Sequence, residues 1–177
     1  MTIFKSQNGW PVLHSDSRLL HVWVIPAKTG EFKLRLRNGS AGFLLALFAL
    51  WYAETIEKVA GRVLDDWGWA KMRYVRGSTD DITNHASGTA IDLNAIRHPL
   101  GRLTLKAWQK VKIRARLLLF AGCLRGGLDY AHRKDEMHYE INKPMASVER
   151  TARRLSHTKM GHRLLVANRG QYSVIHS

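Results

Sequence analysis

The chain is poor in cysteine, in acidic residues and in long apolar runs. Its 177 residues include one cysteine, Cys123, so the fold cannot contain an internal disulfide bond. The longest apolar stretch, residues 42–53, is too short to span a bilayer, which requires about 20 residues. No basic segment followed by an apolar run opens the chain, so we expect no signal peptide and no transmembrane segment. These absences favour a protein that folds in a reducing cytosol.

The shortage of acidic residues leaves a strongly basic chain. Lys and Arg total 28 against 14 Asp and Glu, which gives a formal net charge of +14. Such a charge indicates partners rather than fold, and nucleic acid, anionic membranes and anionic cell-wall polymers are all candidates. The usual nucleic-acid recognition motifs are absent from the sequence, so we expect no specific nucleic-acid partner. A purely solubilising surface charge is the simplest alternative.

What the sequence does contain is enough apolar material for one packed domain, at 45% hydrophobic residues. Period-two alternation predicts strands at 31–37, 71–76, 89–94 and 137–141. Helical spacing predicts helices at 41–59, with Ser40 as N-cap, at 103–120 and at 146–156. The second of these is expected to be amphipathic, with apolar positions that include Trp108, Val111, Leu118 and Leu119. Because the order of these elements lacks a β–α–β rhythm, they predict an α+β domain with a small antiparallel sheet.

Two short motifs concentrate the chemistry of the chain. Residues 85–92 read His-Ala-Ser-Gly-Thr-Ala-Ile-Asp, and residues 135–138 read Asp-Glu-Met-His. They offer two imidazoles and a carboxylate for one metal, together with further carboxylates nearby. A catalytic zinc takes three such ligands and keeps a fourth position for water, whose pKa it lowers to about 7. A carboxylate that does not bind the metal can then accept the proton of this water.

Local geometry can bring the donors of each motif together. Gly88 permits a turn with positive φ, which could place His85 beside Asp92. In a strand over 137–141, His138 and Glu140 share one face. Taken singly, a lone His or Asp is more often a structural residue, and the spacing alone does not prove that the two motifs meet.

Both motifs resemble those of a known family. Residues 85–92 resemble the His-x-x-Gly-x-Ala-x-Asp signature of zinc D-alanyl-D-alanine and L-alanyl-D-glutamate peptidases, and residues 135–138 are similar to that family's acidic-x-x-His pair. The surrounding sequence looks like the peptidase domains of actinobacteriophage endolysins over about residues 20–142. The resemblance implies a hedgehog/DD-peptidase fold, a small antiparallel sheet flanked by helices, in a peptidase domain of residues 1–142. Residues 143–177 would be a basic extension, a helix plus tail, packed on the same domain.

The resemblance also implies a metal site and a base. It places Zn²⁺ on His85, Asp92 and His138, and it makes Asp135 the general base and later the general acid. Glu136 is an alternative base, although its spacing from His138 does not match that of the family.

Substrate contacts are implied in the same way. The family's arginine upstream of the first motif, which binds the substrate and polarises the scissile carbonyl, corresponds to Arg73, with Arg76 as the rival. Thr83 and Tyr139 are the other residues that we expect to contact the substrate.

The function implied is hydrolysis of peptidoglycan stem peptides, with L-Ala–D-Glu as the favoured bond. The alternatives are a D-Ala-D-Ala carboxypeptidase or DD-endopeptidase of the same family and a non-catalytic, zinc-containing module that binds the cell wall. We expect a monomer that is made in the host cytoplasm without a signal peptide and acts on the wall after release. Its positive charge would favour adsorption to anionic cell-wall polymers.

Overall fold

A computed structural model of the protein describes residues 4–59, 65–71, 74 and 81–177. The helices in this part of the chain are α1 (Gly39–Thr55), α2 (Ala107–Leu118), α3 (Met145–Ser156), α4 (Lys159–Ala167) and α5 (Gln171–His176). The strands are β1 (Leu20–Ile25), β2 (Phe32–Arg37), β3 (Ala90–Asp92), β4 (Leu124–Gly126) and β5 (His138–Ile141). Short 3-10 turns lie at Asn84–Ser87 and Gly127–Asp129. The predicted α+β class with small antiparallel sheets is confirmed.

The strands form two separate antiparallel sheets. Strands β1 and β2 make a two-stranded ribbon, and the second sheet has the order β3-β5-β4. In the second sheet, His138 of the central strand β5 lies opposite Asp92 of β3. Glu140, two residues further along β5, lies opposite Ala90 on one side and Arg125 on the other. This register unites parts of the two sequence motifs on one small sheet.

Helix α1 is the centre of the core. Residues 41–50 are all buried, and a helix that is apolar all round must be covered on every side. The β1-β2 ribbon, strand β5 and helices α3, α4 and α5 provide that cover. Gly42 permits the closest approach, because a Cβ there would clash with the carbonyl group of Arg37 and the indole of Trp23.

The three C-terminal helices share this core. Their buried apolar residues join the cluster around α1, and they include Val148, Ala152, Leu155, Leu164, Leu165 and Ile175. Asn168, which follows α4, exchanges two hydrogen bonds of 2.8 Å with the backbone of Val24 in β1. Helices α3 to α5 are therefore packed against the elements that precede them.

Several predicted bounds differ from those in the structure. Helix α1 begins at Gly39 and has Asn38 rather than Ser40 at its N-cap, without a side-chain capping hydrogen bond. Helix α2 begins several residues later than predicted, and the strand predicted at 71–76 lies mostly outside the described residues. No helix in the described ranges is long and apolar enough to cross a bilayer.

Candidate metal centre

Three potential ligands converge where β3 pairs with β5. Asp92 Oδ1 lies 2.8 Å from His138 Nδ1, and Asp92 Oδ2 lies 3.4 Å from His85 Nε2. The two imidazole nitrogens are 3.3 Å apart. One ligand atom from each side chain can be chosen so that all three lie within 4.8 Å of one another. The structure thus brings together the two motifs that the sequence left separate.

A tight turn places His85 at this point. The 3-10 turn Asn84–Ser87 ends at Gly88, whose φ of +68° reverses the chain into β3, as its sequence position predicted. The other imidazole nitrogen, Nδ1, lies 2.7 Å from the carbonyl oxygen of Gly68 and donates to it when protonated, which leaves Nε2 facing Asp92. Trp67 forms a bridge with Asp92 on the free side of β3. Sequence reasoning missed this support, because nothing in the local pattern links residues 67–68 to the first motif.

His138 is oriented from the opposite side by Glu140. His138 Nε2 lies 3.0 Å from Glu140 Oε2, so this nitrogen can donate to the carboxylate while Nδ1 faces Asp92. Glu140 is 2% exposed, and it also accepts hydrogen bonds from Asn84, Arg125 and Tyr130. A carboxylate behind a histidine in this way fixes the tautomer and ring orientation that a metal ligand needs. The alternation of side chains along the strand predicted that Glu140 shares a face with His138. It did not predict that Glu140 orients the imidazole.

The charges of the cluster reinforce one another. Burial alone would lower the pKa of His138, but hydrogen bonds and charges from Asp92 and Glu140 raise it to about 10. Burial would raise the pKa of Asp92, yet His85 and His138 hold that pKa far below its usual range. The pKa of Glu140 is likewise lowered against the effect of burial, chiefly by His138. The site therefore combines a positive imidazolium with two carboxylates, and a divalent cation can replace the proton.

Asp135 lies beside the cluster in a cavity of about 610 Å³ that His85, Asp92 and His138 also line. The pKa of Asp135 is raised to about 6, chiefly by burial. The charge of His138 lowers this pKa, and the charge of Asp92 raises it. Its Oδ1 atom is buried and accepts no hydrogen bond from any group in the described part of the chain. A carboxylate with an unpaired oxygen and a pKa near neutrality suits a proton acceptor.

Glu136, the alternative base, faces away from this cavity. Its carboxylate is buried and accepts hydrogen bonds from the backbone N–H groups of Thr104 and Leu105, at 2.6 and 2.7 Å. It also pairs with Lys110 at 2.6 Å. Glu136 is therefore a structural residue, and its bonds to these N–H groups hold the segment that precedes α2.

Tyr139 lies in the core, where a substrate cannot reach it. It is fully buried, and its ring packs against Phe48 and Tyr52 with centroid distances of 4.4 and 5.9 Å. Its hydroxyl donates to the carbonyl oxygen of Glu136. The expectation that Tyr139 contacts the substrate is therefore wrong, because alternate residues of β5 face opposite sides and this one faces the core.

Of the other expected substrate contacts, the structure describes Thr83 only. Thr83 lines the cavity, directly before the turn that carries His85. Arg73 and Arg76 both lie outside the described residues.

The cavity has a basic wall that sequence reasoning missed. We use this name for Arg125, His132 and Arg133, all three exposed residues that line the cavity. The guanidinium of Arg125 lies 5.4 Å from the ring centroid of Tyr130 and pairs with Glu140 at 2.5 Å. The sequence motifs do not point to Arg125, because this residue reaches the site only through the pairing of β4 with β5.

The donor set fits a divalent metal. Two imidazole nitrogens and one carboxylate are the ligands of many catalytic metal sites, in which a fourth position remains for water. Each histidine has its second nitrogen within hydrogen-bonding distance of a fixed acceptor, as ligand histidines almost always do. The unpaired oxygen of Asp135 lines the same cavity and is free to accept a hydrogen bond there.

Comparison with known proteins points in the same direction. Residues 76–141 match a family model described as D-alanyl-D-alanine carboxypeptidase. The matched segment is a little over a third of the chain and contains His85, Asp92, Asp135 and His138. Searches of curated proteins and of solved structures returned no match. Over this segment the chain is therefore similar to D-alanyl-D-alanine carboxypeptidases, and the similarity includes all four residues of the candidate site.

Proposed function

We propose that the protein is a zinc-dependent peptidase that hydrolyses stem-peptide bonds of peptidoglycan, with L-Ala–D-Glu as the bond that we favour. The observation that carries the proposal is the convergence of His85, Asp92 and His138 beside the buried carboxylate of Asp135. The family match supports the substrate class.

Each residue of the cluster has a definite task in this proposal. His85 Nε2, Asp92 and His138 Nδ1 would hold Zn²⁺, which supplies Lewis acidity and makes water a nucleophile near neutral pH. Asp135 accepts the proton of the attacking water at its unpaired Oδ1 and returns it to the leaving amine. Glu140 and the Gly68 carbonyl hold the two imidazoles in the required orientation.

The basic wall favours an anionic substrate. D-Glu in a stem peptide carries a free carboxyl group close to the bond that links it to L-Ala. Arg125 and Arg133 line the cavity and can pair with such a group, and Arg–carboxylate pairs are among the stronger hydrogen-bonded contacts. Thr83 is a further proposed substrate contact. For the arginine that polarises the scissile carbonyl we retain Arg73, with Arg76 as the rival.

A second function within the same class is D-Ala-D-Ala carboxypeptidase or DD-endopeptidase activity. It is favoured by the description of the matching family, which names the carboxypeptidase. In either case the biological setting that we propose is that of an endolysin, made in the host cytoplasm and active on the cell wall as a monomer.

The substitution Asp135→Ala tests the mechanism. We expect the variant to bind one zinc per chain, as the wild type does, and to lose at least about a hundredfold in peptidoglycan hydrolysis. Zinc content by mass spectrometry and the release of peptide termini measure the two effects separately. If zinc is lost together with activity, Asp135 belongs to the metal site and the assigned role is wrong. The control is Asp16→Ala, which removes an exposed carboxylate elsewhere on the chain.

A further inference from the structure

Helix α2 turns apolar side chains toward solvent. On its inner side only Gln109 and Ile113 are buried. The exposed fractions of its outward apolar residues, including the residue that follows the helix, are 46% for Trp108, 64% for Val111, 80% for Leu118 and 50% for Leu119. An amphipathic helix normally buries its apolar stripe. The apolar spacing predicted from the sequence is present in α2, but these side chains face solvent and not the core.

The positions of these residues form a continuous band. At about 100° per residue, Val111, Ala115 and Leu118 project from the side of α2 opposite Ile113. Trp108 and Leu119 extend the band along one border. We call these five residues the α2 stripe. Scattered apolar residues are normal on protein surfaces, whereas a contiguous band of this kind marks an interaction site.

Cations flank the α2 stripe. Lys112 and Arg114 project on its two borders, and Lys112 Nζ lies 5.3 Å from the ring centroid of Trp108. Arg154 of α3 donates to the carbonyl oxygen of Leu119 at 2.6 Å, which places a further cation at the end of the stripe. Asp129 pairs with Arg114 at 2.7 Å and offsets that charge in part.

The local sequence carries no other negative charge. Residues 93–128 contain eight Lys and Arg and no Asp or Glu. A second copy of this chain would bring like charges together across the face, which disfavours self-association through it. An anionic polysaccharide could pair with the cations, but it would leave the aliphatic side chains without an apolar partner.

We propose that the α2 stripe docks on the surface of an anionic lipid bilayer. In this arrangement α2 lies in the plane of the interface, with Trp108, Val111 and Leu118 in the headgroup–acyl boundary. Lys112 and Arg154 would lie at the level of the lipid phosphates. An apolar face bordered by Lys and Arg is the pattern of helices that lie on a membrane. With 12 residues, α2 is too short to span one.

Sedimentation with lipid vesicles tests this proposal on the full chain. We expect the protein to bind vesicles of equal parts phosphatidylglycerol and phosphatidylcholine and not to bind pure phosphatidylcholine. The double variant Val111→Ser/Leu118→Ser should bind the mixed vesicles about tenfold more weakly or worse, because it removes the apolar part of the contact. The matched control is Val22→Ser, which changes an exposed valine of β1 that is 50% exposed.

Circular dichroism shows whether each variant is folded, and zinc binding provides a second check that does not involve lipid. Equal binding of mixed vesicles by wild type and double variant would mean that charge alone recruits the protein, and it would overturn the proposal. Absence of wild-type binding to the mixed vesicles would also overturn it. So would a dimer of the wild type, found by light scattering without lipid, that the double variant loses, since the stripe would then contact a second copy.

Discussion

At the scale of single residues, Glu140 connects the candidate ligands to the surrounding fold. It is buried, faces His138 Nε2 at 3.0 Å and accepts hydrogen bonds from residues of three other segments. One of these partners is Asn84, whose side-chain oxygen accepts a hydrogen bond from the backbone of Asn8 at 3.0 Å. The orientation of His138 therefore depends on contacts that reach the N-terminal segment. Asp135 differs from these residues because one of its oxygens remains unpaired within the described chain.

The substitution Glu140→Gln should weaken zinc binding about ten- to a hundredfold, because a neutral amide holds the His138 imidazole less firmly than a carboxylate does. Competition with a chromophoric chelator measures the affinity. Glu31→Gln is the matched control, since Glu31 is exposed. Equal zinc affinities for the two variants would show that Glu140 does not support the ligand.

At the scale of elements, the sequence predicts features that arise within one segment. The apolar run of α1 indicated a central helix, the alternation in 137–141 separated His138 from the core, and Gly88 marked the turn that returns His85 to Asp92. These features follow from helical and strand periods or from the conformational range of glycine.

Features that depend on contacts between distant segments could not be predicted in this way. The central position of β5, the hydrogen bond from His85 to Gly68 and the arrival of Arg125 at the cavity all require pairing that no local pattern encodes. The same limit explains the outward face of α2. Its spacing defined an apolar stripe, but only the packing of its other side around Ile113 determines which face is buried.

The substitution Gly88→Ala tests the turn between His85 and Asp92. An alanine at a φ of +68° is strained, and its Cβ would lie 2.7 Å from the backbone nitrogen of Arg37. We expect a loss of more than about 2 kcal/mol in the free energy of unfolding and weaker zinc binding, because His85 is displaced. Urea denaturation and a zinc titration measure the two effects.

Gly170→Ala is the matched control, since Gly170 also has a positive φ but a Cβ there meets nothing within 4 Å. It should lose only the backbone contribution, about 1 kcal/mol, and bind zinc as the wild type does. Equal losses in both variants would mean that the close approach of residue 88 to the Arg37 backbone adds no cost beyond that of the positive φ.

At the scale of the whole molecule, the fold separates packing from chemistry. Helix α1, helices α3 to α5 and the β1-β2 ribbon build most of the core, whereas the small β3-β5-β4 sheet and the turns around it carry the candidate site. Some of the cations behind the net charge of +14 line the cavity, and others border the α2 stripe. Both surfaces suit anionic partners, one an anionic peptide and the other a lipid surface.

The most direct test of the central claim is mass spectrometry of purified peptidoglycan digested with the zinc-loaded protein. We expect new amino termini of D-Glu or D-isoglutamine, which disappear with a chelator and return when zinc is restored. Released D-Ala or a cut cross-link, with the same zinc dependence, would support a zinc peptidase that cleaves the D-Ala-D-Ala bond or the cross-link instead. If folded, zinc-loaded protein produces no new termini, or if cleavage persists in the chelator, the protein is not the zinc peptidase proposed.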